Sequence, residues 1–360
     1  MPGVRVAVAR LAIGLAVAVS ATLGAGKAAD ARPVPPGFFG IVPQTSLSAG
    51  DLVRMEGVVG TLRLPLQWSD VERQPGIYDF ESFDTALAGA ARHGIEVMPF
   101  VYATPAWLDA DPARPPLATG EARRSWAAFL RQLVERYGPA GRFWRGRSAR
   151  TPIRRWQIWN EPNFRLFWHP QPSPNDYARL LAISAQAIRG ADRNARIVLA
   201  GVAPVSAGLM PWVFLRRFYR VADVKRSFDL AAVHPYATSP PRMAAQIRAA
   251  RHAMRRAGDA STPLLVSEVG VASHGQFPSA FVKGERGQAE FLRSALDLLL
   301  ARRRAWRIAG VDWFTWRDSA VPDRHCSFCE GAGLFDPQGR PKEAWRVFRG
   351  FVGAAIRPNS

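Results

Sequence analysis

Short apolar runs rich in β-branched residues recur along the chain. Each is followed by a longer stretch in which apolar residues return every three or four positions. The runs fall at 39–42, 60–66, 96–102, 154–160, 197–201, 229–234, 264–268 and 308–315. Helical patterns occupy 80–93, 123–137, 176–191, 242–258, 286–304 and 342–352. Strand and helix in strict alternation predict parallel strands joined by crossover helices. Eight strands with a last helical segment to close the ring predict an α/β fold, a single (β/α)8 TIM barrel. The 360-residue length suits such a barrel. No long linker, repeat or low-complexity tract divides the chain, and only a loop and one helix follow the eighth strand. One domain over 32–360 with no accessory β-sandwich is therefore expected.

The first 31 residues break the alternation. Arg5 and Arg10, an apolar run over 11–25, and the small residues around Ala29-Asp30-Ala31 make the pattern of a cleaved secretion signal. Gly14, Ser20, Thr22 and Gly24 interrupt the run, which falls short of the roughly 18 apolar residues that a membrane span needs. A secreted or cell-surface protein without a stable membrane span is expected. In that setting Cys326 and Cys329, the only cysteines, are expected to form a local disulfide. A zinc site needs about four ligands, and His325 is the one ligand-type neighbour, so no metal or other cofactor is expected.

Charge adds one ambiguous signal. The formal net charge is +19, and 44 of 48 basic residues are arginine, lysine standing only at 27, 225, 283 and 342. A one-signed field attracts anionic partners, here an acidic glycan or cell surface. The densest cluster, Arg302 to Arg304 with Arg307, reads as a solvated helix end. No nucleic-acid-binding motif is present.

In a barrel of this kind chemistry sits at the carboxyl ends of the strands, because the loops that follow them line the open mouth. Those ends carry Arg63, Asn160 with Glu161, His234 with Tyr236, Glu268, and Trp316. Glu161 and His234 each precede a proline, which disfavours helical angles and predicts an extended backbone at both. Glu268 ends the apolar run Leu264-Leu265-Val266-Ser267, three strands further round than Glu161. Two facing carboxyls can cleave a glycosidic bond, one protonating the leaving oxygen and the other attacking carbon or activating water. Apolar surroundings, to which Trp159 would contribute, suit Glu161 to the acid/base role. Arg63 and Tyr236 are candidates to keep Glu268 ionised as nucleophile. The aromatic stretch from Phe164 to Pro170, with Trp168, either stacks on sugar or packs among loops.

The segment Trp159-Asn160-Glu161-Pro162-Asn163 resembles the acid/base motif at the end of strand four in clan A glycoside hydrolases. Ser267-Glu268-Val269-Gly270 is similar to their strand-seven nucleophile motif. Further matches are Leu62-Arg63-Leu64, Trp68-Ser69-Asp70-Val71-Glu72, Gly76 to Phe80, Thr104 to Leu108, His234-Pro235-Tyr236 and Trp316. The pattern is closest to family 39, whose members are retaining enzymes, so the resemblance implies a covalent glycosyl-enzyme intermediate. It also implies that Asn160 bonds the sugar 2-hydroxyl, Tyr236 contacts the nucleophile, His234 supports the acid/base and Trp316 forms a stacking floor. A carbohydrate substrate, polysaccharide or oligosaccharide, is the expected partner. A noncatalytic carbohydrate-binding barrel and a transglycosylase acting on cell-surface glycan are the other readings of the same motifs.

Overall fold

The structure is a computed structural model that describes residues 34–321 and 326–356. The leader expected at 1–31 and His325 lie outside the described residues. Eight strands, β1 (Phe39–Val42), β2 (Thr61–Gln67), β3 (Glu96–Tyr102), β4 (Arg155–Ile158), β5 (Arg196–Val202), β6 (Leu230–Val233), β7 (Leu264–Val269) and β8 (Ile308–Phe314), pair in sequence order. Every pairing is parallel, and β1 joins β8 to close the barrel. Helices α1 (Ala49–Met55), α2 (Trp68–Val71), α3 (Glu81–Arg92), α4 (Gly120–Tyr137), α5 (Pro174–Ala191), α6 (Pro211–Phe218), α7 (Pro240–Arg256), α8 (Gly284–Ala301) and α9 (Glu343–Ile356) form the outer layer.

Period-two alternation decides what faces the lumen. On β2, Leu62, Leu64 and Leu66 pack outward into the barrel–helix core, while Arg63 between them is fully buried on the inner side. Met98, Val198, Leu230, Ala232 and Leu265 form a separate apolar cluster inside the barrel. Beneath the mouth, therefore, the lumen is packed rather than open.

Helix starts follow sequence chemistry. The Thr119 hydroxyl accepts from the Ala122 N–H at 3.0 Å to begin α4. Ser173 does the same for the Asp176 N–H ahead of Pro174, the first residue of α5. No helix among the described residues is long and apolar enough to cross a membrane.

Candidate active site

β4 ends at Ile158, and the next three residues leave strand geometry. Trp159 and Glu161 take φ of +70° and +39°, so the extended backbone expected at Glu161 from its proline is not found. The reason is a sharp turn, in which the Phe164 N–H donates to the Glu161 carbonyl at 2.8 Å. In a regular strand Asn160 and Glu161 would face opposite ways. The left-handed residues rotate both into the mouth, at a strain on the order of 1–3 kcal/mol each. His234, by contrast, continues the ladder of β6, its N–H donating to the Val202 carbonyl at 3.0 Å.

Arg63 organises the floor. Its Nη1 donates to Glu268 Oε1 at 2.5 Å, Nη2 to Asn160 Oδ1 at 2.9 Å and Nε to Gln157 Oε1 at 2.8 Å. The guanidinium lies 4.0 Å from the ring centroid of Phe100, which fixes its plane. Tyr236 donates its hydroxyl to the other Glu268 oxygen at 2.7 Å. Both oxygens of that carboxyl are thus held by donors. Gln157 was not singled out in the sequence, although a glutamine inside the run Trp156-Gln157-Ile158 is the kind of break that marks a lumen position.

Glu161 has a different environment. Its Oε1 lies 2.7 Å from His234 Nδ1, close enough to share one proton, and the same nitrogen is 3.5 Å from Glu268 Oε2. One oxygen of each carboxyl and this nitrogen all fall within 4.8 Å of one another. The far side of the His234 ring rests against Gly201 of β5, where a Cβ would come within 2.0 Å of Nε2.

The two acids are poised in opposite directions. Burial raises Glu161 above its ordinary pKa, against the lowering effect of its bond to His234. Burial also acts to raise Glu268, but His234, Arg63 and the Tyr236 hydroxyl together outweigh it and the net shift is downward. Tyr236 is pushed well above its usual value by burial and by the adjacent Glu268. It therefore stays a hydroxyl donor.

Trp316, expected as a stacking floor, is placed elsewhere, and Trp168 takes the packing reading of the two left open for it. Trp316 is fully buried, with ring centroids 4.4 Å from Phe335 and 5.2 Å from Trp345 of α9. The Leu334 and Phe335 N–H groups donate to its carbonyl, and its side chain packs in the core against α9. The β8 aromatic beside Tyr236 is instead Phe314, at 6.1 Å between centroids. Trp168 is 1% exposed and packs edge-to-face on Trp159 and Tyr177, so it is core and not a sugar platform. Trp159 also packs outward, against Trp126 of α4.

Cys326 and Cys329 form the expected disulfide, with Cα atoms 5.5 Å apart. Phe328 between them lies 5.4 Å from Tyr236 and stacks on Phe281 at 4.8 Å. Across the mouth Tyr102, missed in the sequence, stacks on Phe100, and burial with the nearby Asp70 pushes its hydroxyl up to about 12. Aromatic residues at strand ends carried no signal that separates mouth from core.

Glu161, His234 and Glu268 also form a set of possible metal ligands. Arg63 and Tyr236 already occupy both Glu268 oxygens, and a guanidinium competes directly with a dication for that carboxylate.

No family model and no curated protein matches the chain. Solved structures do. A glucosidase from Croceicoccus marinus superposes with a TM-score of 0.66 at 16% identity, over 90% of this chain and 69% of that one. The exo-β-1,4-mannosidase Op5Man5 from Opitutaceae bacterium strain TAV5 gives 0.65 at 17%, over 91% and 63%. A GH39 β-xylosidase from Caulobacter crescentus gives 0.60 at 20%, over 89% and 72%. The chain thus spans less than two thirds of the mannosidase. In architecture its neighbours are clan A glycosidases of families 39 and 5. At such identities the likeness establishes the barrel, and the chemistry must be argued from this chain's own residues.

Proposed function

We propose that the protein is an exported retaining glycoside hydrolase in which Glu161 is the acid/base and Glu268 the nucleophile. The observation that carries this reading is the pair of buried carboxyls, oppositely poised and with oxygens within 4.8 Å. Retaining enzymes hold their two carboxyl groups about 5–5.5 Å apart, whereas inverting ones leave room for an intervening water. Glu268 attacks the anomeric carbon while Glu161 gives its proton to the departing oxygen. Water then enters, Glu161 removes its proton, and the ester to Glu268 breaks. With Oδ1 tied to Arg63, Asn160 has its amide N–H groups to offer the sugar 2-hydroxyl. The solved neighbours, which include a glucosidase, a mannosidase and a β-xylosidase, support an O-glycoside of a polysaccharide or oligosaccharide as substrate.

The test begins with a screen of the purified protein on polysaccharides and aryl glycosides. Glu268→Ala is expected to lower turnover on the order of 10⁴-fold or more. A 2-fluoro glycoside that traps the intermediate should label Glu268. Label on Glu161 would reverse the two roles, and full activity in Glu268→Ala would end the assignment.

A further inference from the structure

The excess positive charge is not spread evenly over the barrel. Loops that lead from a helix into the next strand lie on the face opposite the mouth. The five such loops between α4 and β8 hold thirteen basic and four acidic residues. The loop between α4 and β4 alone carries Arg142, Arg145, Arg147, Arg150 and Arg154, all exposed, and no acid. Among the described residues none of these five is ion-paired with a carboxylate. The seven connections that follow β1 to β7 at the mouth, with the short α2 counted in the second, hold six acidic and four basic residues.

The basic loops are physically continuous. The Arg196 N–H donates to the Arg154 carbonyl at 2.8 Å, joining the α4–β4 and α5–β5 loops. Arg189 at the end of α5 reaches the Arg226 carbonyl at 2.5 Å. Lys225 reaches the Gly258 carbonyl at 3.4 Å, and Arg251 of α7 reaches that of Arg307 at 3.3 Å. The result is a cationic arc over the barrel's closed end, to which the α7–β7 loop, with Asp259 and no basic residue, adds no charge of its own.

We propose that this arc docks the protein on an acidic polysaccharide, one bearing carboxylate groups, while the mouth takes a different, uncharged stretch of glycan. Three observations select that partner. The loops of the mouth are near charge balance, so the +19 charge is not concentrated where substrate enters. Guanidinium groups, which dominate the arc, match carboxylates in a two-pronged geometry that ammonium groups lack. The exposed large apolar residues, Val53, Ile77, Leu166, Phe277 and Val321, all lie outside these loops. The arc therefore has no side chain to insert into a bilayer and no exposed ring on which bases could stack. The choice of a glycan over other polyanions also rests on the glycosidase reading.

The experiment measures binding of the full-length protein to polygalacturonate as a function of salt, with neutral mannan, duplex DNA and phosphatidylglycerol vesicles alongside. Among the described residues Arg145, Arg150, Arg154 and Arg193 make no side-chain hydrogen bond or ion pair, so changing all four to Glu leaves the fold intact, as melting temperature would verify. Binding to polygalacturonate is expected to weaken steeply between 50 and 500 mM salt, as screening predicts. It is expected to fall at least tenfold in the quadruple variant and to persist in Glu268→Ala. Turnover of a small soluble aryl glycoside should not change in the quadruple variant. No binding to polygalacturonate at low salt, binding unaffected by the four substitutions, or tighter binding to DNA or vesicles overturns the proposal. Because binding is read without turnover, a protein that binds but cleaves nothing would sink the glycosidase reading and leave the docking face standing.

Discussion

Glu161 and Glu268 share one buried site, and neighbouring groups set them apart. Glu268 must be ionised to attack and Glu161 protonated to donate, so activity requires a pH above the first value and below the second. With Glu268 lowered and Glu161 raised from the ordinary 4.5, the rate should climb on a limb below that pH and decline on one above it. In Glu161→Gln, an aryl glycoside whose leaving group needs no proton should still form the intermediate, and the upper limb should vanish from the pH profile of that step. Persistence of the limb would assign it to another group. Trp316 is argued in the opposite sense. Replacing it with alanine empties a core position between Phe335 and Trp345 and should cost about 3–5 kcal/mol of stability. Denaturant unfolding would register that loss, while KM in the surviving folded fraction stays near the wild-type value.

At the scale of elements, β5 matters through what it lacks. Gly201 leaves the space that the His234 ring fills, and its pairing with β6 passes through a register shift between Val198 and Gly201. Gly201→Ala should displace the imidazole from Glu161 and lower kcat at least tenfold, with the upper limb of the pH profile moved. Unchanged kinetics would mean that the ring relaxes elsewhere without loss. Such a contact links two strands through a missing atom and leaves no trace in hydropathy. The strands themselves were legible: β1 and β3 have the bounds that the pattern predicts, and the other six differ by a few residues at most. The short helices α1, α2 and α6 were not, because four to eight residues give too few turns to display a period. Strand-end polarity located Asn160, Glu161, His234, Tyr236 and Glu268, which meet Arg63, a residue expected at a strand end but found inside β2, four residues before its close. It failed for Trp316, since a tryptophan beyond a strand is aimed by the local turn and not by alternation, and it said nothing of Trp168, which stands in the loop after β4.

For the whole molecule, the lumen sets a limit on stability at high pH. Asp312 of β8 is buried there, and desolvation raises its pKa from 3.8 to about 7, against the lowering effect of Arg155 and Arg63. The folded protein therefore holds a proton between those values that the unfolded chain has released. Stability must fall as pH rises through this window. Asp312→Asn removes the titration, so its melting temperature should exceed that of the wild type at pH 8, by an amount corresponding to roughly 2–4 kcal/mol, and match it near pH 4. A variant that is no more stable at pH 8 would show that Arg63 and Arg155 hold the carboxylate ionised at little cost.

The apolar plug of Met98, Val198, Leu230, Ala232 and Leu265 has a kinetic meaning under the proposed chemistry. It leaves the barrel a single doorway. The severed half of a glycan must back out through the passage by which it came, and only then can the molecule that completes the reaction step in. Turnover becomes a queue, and a bulky first product that lingers in the entrance will delay everything behind it.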